Sequence, residues 1–190
     1  MSSSQQALEA AHLIDRLERL VRAGEQAGDL NPAQWEALRF LARANRFSRT
    51  PAFLADYLGS TRGTVSRTLA SLEEKGYIVR TDSARDGRSV EFALTAAGEK
   101  ALKTDPLLAL AQDIERTTMA KAVREALRKA LHNAVQRNGG RAFGVCRTCR
   151  HFEAQVSPGS RAPHRCGLLD ERLSQADSDS ICAEHEATAA

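Results

Sequence analysis

Cys146, Cys149, Cys166 and Cys182 are the only cysteines in this chain, and all lie in its last quarter. Cys146 and Cys149 form a Cys-x-x-Cys pair. Sixteen residues separate Cys149 from Cys166, and fifteen separate Cys166 from Cys182. Thiolates in this number bind zinc or an iron–sulfur cluster. A cubane cluster needs four thiolates approaching from separate directions, which one close pair and two distant singles supply. A tetrahedral zinc ion takes the same four ligands, but four-thiolate zinc folds mostly use two close pairs. His151, His164 and His185 stand near the cysteines and can each replace one. A third chemistry is thiol–disulfide exchange at Cys146 and Cys149, where Arg141, Arg147 and Arg150 favour the thiolate. The spacing favours a [4Fe-4S] cluster on Cys146, Cys149, Cys166 and Cys182, with one zinc ion as the alternative.

These ligands need a scaffold, and the chain must fit one around them. With 190 residues it holds one domain, or one domain and a small appendage. No apolar run approaches the length of a membrane span, and Met1–Gln6 lacks the basic start and apolar block of a signal peptide. A cytoplasmic location follows as the expectation, and there thiols stay reduced, so structural disulfides are disfavoured. Residues 1–140 carry 21 Lys and Arg against 17 Asp and Glu, a net of +4; residues 141–190 carry 6 against 7, a net of −1. The body, not the tail, is suited to a polyanion.

Along the body, Leu13, Ile14, Leu17, Leu20 and Val21 recur at helical spacing within residues 5–27. Asn31-Pro32 and Thr50-Pro51 are helix-start signals, and Gly59 and Gly76 are helix ends. A helix from Ser60 or Thr61 to about Lys75 buries Val65, Leu69 and Leu72. Two β-prone runs, 77–81 and 90–94, flank a polar stretch containing Asp86-Gly87, a hairpin signal. Thr95 caps the next helix. After Pro106 one long helix is predicted to about Gln136, followed by a hinge at Asn138-Gly139-Gly140. The tail beyond shows little periodicity and is too small to fold by burial alone, so a cross-linking centre would order it.

Helix, short turn, helix and hairpin in that order make a winged helix-turn-helix. Val65 faces inward, leaving Ser60, Thr61, Arg62, Thr64, Ser66 and Arg67 outside. Short hydroxyl side chains let a helix approach the major groove, and arginines reach bases and phosphates. Arg80, Arg85 and Arg88 lie on or beside the hairpin, where arginines enter a minor groove. The expected DNA-binding residues are Ser60, Thr61, Arg62, Thr64, Ser66, Arg67, Arg85 and Arg88. Asp82 and Asp86 are expected to pair with neighbouring arginines.

Glu74-Lys75-Gly76-Tyr77-Ile78-Val79-Arg80, then Asp82, Arg85-Asp86-Gly87-Arg88-Ser89 and Leu94-Thr95-Ala96-Ala97-Gly98 together resemble the signature of MarR-family regulators. The resemblance spans roughly residues 8–136. It implies an obligate homodimer clamped by its first and last helices and bound to a palindromic operator in double-stranded DNA. It also implies that Thr61, Arg62, Thr64, Ser66 and Arg67 meet the major groove and that Arg88 is the wing-tip arginine. Some relatives sense peroxide through a cysteine in the first helix, and this chain has none there. The tail lies outside that resemblance. Its spacing is instead similar to that of high-potential iron–sulfur proteins, with Phe152 after the pair and Cys166-Gly167-Leu168-Leu169 matching their third-ligand stretch. The tail departs from them in lacking Trp and Tyr, leaving only Phe143 and Phe152 as aromatic shielding.

The expected fold is mainly α with a small β-hairpin wing. A MarR-like DNA-binding and dimerisation domain covers residues 1–138, and a small irregular four-cysteine module covers 141–190. No nucleophile–base pair, phosphate loop or HExxH motif is present, so no enzyme activity is expected. The expected function is transcriptional regulation in which an iron–sulfur cluster reports redox, oxygen or iron state by altering the last dimer helix. The alternatives are a structural zinc site, a protein-docking tail or, less favoured, a redox carrier.

Overall fold

The computed structural model describes residues 2–26, 28–82 and 90–188, without the Asp82 side chain. Helix α1 (Ser3–Glu25) opens on a reciprocal cap between Ser2 and Gln5. The same device starts α2 (Pro32–Arg43), where the Asn31 side chain accepts the Gln34 N–H and the Gln34 side chain accepts the Asn31 N–H. Thr50 caps α3 (Pro51–Leu58), Thr61 caps α4 (Arg62–Glu74) and Thr95 caps α5 (Ala96–Leu102). Between α3 and α4 the chain reverses at Gly59, whose φ of 60° is the left-handed conformation that suits glycine.

Strands β1 (Ile78–Asp82) and β2 (Val90–Leu94) pair antiparallel, with Ile78 opposite Leu94 and Arg80 opposite Phe92. Ile78 and Phe92 point into the core while Val79 stays exposed, the alternation expected of a sheet with one wet face. The glycine of the Leu-Thr-x-x-Gly run has a steric reason. A Cβ on Gly98 would sit 2.2 Å from the Tyr77 carbonyl oxygen, which also accepts the Thr95 N–H. Only glycine lets α5 lie this close to the start of β1.

The core joins Trp35, Leu38, Phe40 and Leu41 of α2 to Leu54 of α3, to Val65, Leu69 and Leu72 of α4, and to Ile78 and Phe92 of the wing. Arg39 makes ion pairs with buried Glu25 and Asp105, tying α2 to the end of α1 and the start of α6 (Leu107–Arg116). By contrast, Leu8, Leu13, Ile14, Leu17 and Leu20 of α1 remain exposed.

Two expectations need correcting. The long helix after Pro106 is two helices, α6 and α7 (Ala120–Arg137). Thr118 takes a left-handed φ of 59° between them. The Thr117 hydroxyl donates to the Ile114 carbonyl and accepts the Met119 N–H, so a threonine side chain replaces the helix ladder at the break. Nor is the tail irregular. β3 (Gly144–Val145) pairs with β7 (Ile181–Cys182), and β4 (Phe152–Glu153), β5 (His164–Cys166) and β6 (Glu171–Leu173) form a second antiparallel sheet. A one-turn helix, α8 (Gln175–Asp179), precedes β7. Strands of two or three residues are too short to display a period of two, which hid them from periodicity.

Candidate nucleic-acid interface and four-cysteine centre

The first half of α4 presents a polar face. Val65 is buried, whereas Thr61, Arg62, Thr64, Ser66 and Arg67 are exposed and Ser60 is half-buried. Thr61 accepts the Thr64 N–H at 3.2 Å, and the two hydroxyls lie 2.9 Å apart. They therefore order the helix N-terminus while both residues stay exposed. Arg67 reaches back to the Gly63 carbonyl at 3.4 Å. Arg80 has two described contacts. It pairs with Glu73 at 3.3 Å and lies over the Phe92 ring. Arg85 and Arg88, with Asp86 and the Asp82 side chain, lie outside the described residues.

In the tail, the 3-10 turn Cys146–Thr148 starts on Cys146 and is capped by Cys149, β5 ends on Cys166 and β7 ends on Cys182. All four cysteines are free thiols. They line one small cavity with Phe152, Leu168 and Leu173, with His151 and Glu184 also on its wall. The cavity measures ≈ 20 Å³, about one water-sized sphere, yet its apolar residues offer water little to bond. Donors aim at the sulfurs instead. Asn45 Nδ2 lies 3.2 Å from Cys146 Sγ, and the Glu186 N–H lies 3.4 Å from Cys149 Sγ. The Cys146 thiol, the Asn45 side chain, the Glu184 backbone and the Ser48 hydroxyl all favour the thiolate of Cys182.

A hydrogen bond from Cys146 holds the Cys182 thiol down at about 6 despite burial, and the same bond, with burial, pushes Cys146 up. N–H···S bonds and an apolar shell suit thiolate ligands of either an iron–sulfur cluster or zinc. Among the described residues, no three His, Cys, Asp or Glu side chains are close enough together to hold a single ion.

The three tail histidines take other roles. His164 is buried, accepts the Gln155 N–H on Nδ1 at 3.3 Å, and places Nε2 3.2 Å from Gln175 Oε1. Both ring nitrogens are occupied and it stacks 5.0 Å from Phe152, so it braces the aromatic wall. His185 meets the Thr148 hydroxyl at 3.0 Å, and burial lowers its pKa. Only His151 reaches the cavity, and it pairs with Glu186 at 3.2 Å. Of the two tail aromatics, Phe152 shields the thiols. Phe143 packs edge-on against Phe40 and Tyr57, at 6.0 and 5.1 Å between ring centres.

Sequence reasoning missed Asn45 and Ser48. Both are buried in the turn between α2 and α3, where Asn45 meets the Cys146 sulfur and Ser48 the residue after Cys182. The turn holds the tail in several ways. The Asn45 N–H donates to the Ile181 carbonyl at 2.8 Å, and Ala44 forms a parallel bridge with Ile181. The Ala183 N–H donates to Ser48 Oγ at 3.0 Å. Arg46 pairs with Asp177 and donates to the Arg172 carbonyl, while Arg141 pairs with Asp56 of α3. Ile181 belongs to the same apolar cluster as Phe40 and Leu54. The module therefore seats on the helix-turn-helix lobe itself.

Comparison with known proteins matches the sequence and fold of the body. A model of the MarR family matches residues 28–89. No curated protein matches the chain. Among solved structures, a MarR transcriptional regulator from Methanosarcina mazei Go1 is 19% identical, with a TM-score of 0.55 over 70% of this chain and 99% of its own. A mutant of S. aureus MepR is 22% identical, with a TM-score of 0.50 over 72% and 98%. The S. aureus MepR–DNA complex is 22% identical, with a TM-score of 0.49 over 72% and 97%. No helix among the described residues is long and apolar enough to cross a membrane. Mainly helical with small antiparallel sheets, the chain has the winged-helix fold of MarR regulators, and its residues 28–89 match that family in sequence.

Proposed function

We propose that this chain is a homodimeric, DNA-binding transcriptional regulator whose operator affinity depends on a metal centre held by Cys146, Cys149, Cys166 and Cys182. The observation that carries the DNA reading is the exposed face of α4. A helix whose buried side anchors at Val65, Leu69 and Leu72 offers Thr61, Arg62, Thr64, Ser66 and Arg67 to a groove. The apolar stripe Leu13, Ile14, Leu17 and Leu20 on α1, together with exposed Leu127 and Leu131 on α7, is surface that a second copy would cover. Two recognition helices would then read half-sites about one DNA turn apart, which makes the operator palindromic.

For the centre, the iron–sulfur reading rests on four thiols drawn from separate segments around one apolar cavity, with N–H donors on the sulfurs. When bound, such a cluster supplies a one-electron redox change or a sensitivity to oxygen and iron supply. Zinc is the second reading, favoured by the small cavity and by the direct Cys146–Cys182 contact. A cubane would need both to open, whereas a single ion would need the thiols to draw closer together.

Duplexes selected from a random pool by the full chain test the DNA reading. A palindromic consensus bound by two chains is expected. Selection of no sequence, or binding by single chains, would overturn it.

A further inference from the structure

We propose that Asn45 and Ser48, in the turn between α2 and α3, are positioning residues of the four-cysteine centre, and that this turn, not α7, carries the state of the centre to the DNA-reading helices. The inference rests on the reading of the tail as a metal site and extends it to how that site is coupled.

The chemistry of the two side chains supports this role. Asn45 is buried in an apolar core, where an amide costs free energy unless its groups are bonded. Its N–H₂ goes to Cys146 sulfur at 3.2 Å and its backbone N–H to Ile181, while Oδ1 has no partner. A sulfur accepts a hydrogen bond more strongly as a thiolate than as a neutral thiol. A thiolate held by a metal accepts strongly, so the amide is placed for the ligated form. Ser48 is equally buried, and its single hydroxyl accepts the Ala183 N–H at 3.0 Å while facing Cys182, the preceding residue. One turn thus supplies a donor to the Cys146 sulfur and anchors the residue that follows Cys182, both from more than a hundred residues away in sequence.

What the turn does next follows from its place in the chain. It leads from the C-terminus of α2 directly into Thr50, the cap of α3, and Pro51, its first residue, and α3 packs on α4. Arg49 lies within this segment, its Nε on the Ala44 carbonyl and its own carbonyl accepting the Phe92 N–H of the wing. A change in the charge or spacing of the Cys146 and Cys182 sulfurs alters the Asn45 and Ser48 bonds. It thereby displaces α3, which packs on α4, and β2, which pairs with β1 beside α4. The module follows α7 through Gly139, with a φ of 62°, and Gly140, a glycine link that transmits displacement less stiffly than a hydrogen-bonded turn.

The test uses the full chain purified without oxygen, together with Asn45→Asp, Ser48→Ala and a variant with a short glycine spacer inserted after Gly140. Metal release to a chelator is followed by metal analysis and thiolate absorbance. Affinity for the selected duplex is measured before and after release. The Asn45→Asp and Ser48→Ala variants are expected to bind their metal roughly 10–100-fold more weakly, with a shifted thiolate absorption band. In them the ratio of DNA affinities with and without metal moves towards one, whereas in the spacer variant it stays at the wild-type value. Unchanged metal affinity and unchanged ratio in Asn45→Asp would overturn the proposal. So would loss of the ratio in the spacer variant, which decides the matter even if the Asn45 variant fails to fold. A wild-type chain that holds no metal would instead sink the underlying reading of the centre.

Discussion

The Asn45 backbone N–H donates to the Ile181 carbonyl at 2.8 Å, joining the end of α2 to the last strand of the cysteine module. Because Ile181 also enters the core beside Phe40, the winged-helix lobe and the module share one hydrophobic cluster. Their stabilities are therefore linked, and so are several consequences of changing either one.

Ile181→Ala removes a buried side chain from that shared cluster and is expected to cost about 2–4 kcal/mol. Heat or urea unfolding should show one transition for the whole chain in the wild type, shifted as a unit in the variant. Separate transitions for body and tail, with only the tail affected, would contradict shared packing.

Two glycines should respond with opposite signs. Gly98→Ala drives a Cβ against the Tyr77 carbonyl and is expected to destabilise by about 1–3 kcal/mol. Gly63→Ala lies within α4 with nothing within 4 Å of the added Cβ, and is expected to stabilise by about 0.5–1 kcal/mol through helix propensity. Denaturant midpoints measure both.

On the proposed DNA face, Arg62→Ala and Arg67→Ala should each weaken binding to the selected duplex by about 1–3 kcal/mol. A contact to phosphate also lowers the salt slope by about one, and a contact to a base relaxes specificity at one position. Titrations at two salt concentrations separate these outcomes. Full binding by the double variant would remove α4 as the reading helix.

Charging the exposed α1 stripe should break the assembly. Leu17→Lys with Leu20→Lys is expected to give a monomer in sedimentation analysis, with at least about 30-fold weaker DNA binding, the scale of a lost interface hot spot. A folded dimer in this variant would move the interface away from α1.

The helix-turn-helix was legible because each of its joints has a local signal. Asn31, Thr50, Thr61 and Thr95 all cap as their residue types suggest, and Gly59 reverses the chain where only glycine is comfortable. The break at Thr118 was not legible, since it comes from a threonine capping its own helix and no Pro or Gly marks it. The cysteine spacing predicted a shared site, and the four thiols do line one cavity. The place where that site docks was hidden. Asn45 and Ser48 sit in Asn45-Arg46-Phe47-Ser48-Arg49, a stretch whose polarity reads as solvated loop. Their partners lie so far along the chain that no local pattern could reveal them.

The most direct test of the central claim is the metal content of the chain purified without oxygen, with iron, sulfide and zinc counted per chain alongside the visible spectrum. The account predicts a coloured protein with about four irons and four sulfides, all lost when Cys146, Cys149, Cys166 and Cys182 are replaced by serine. A colourless protein carrying one zinc would contradict the cluster, and one carrying neither metal would contradict the centre itself.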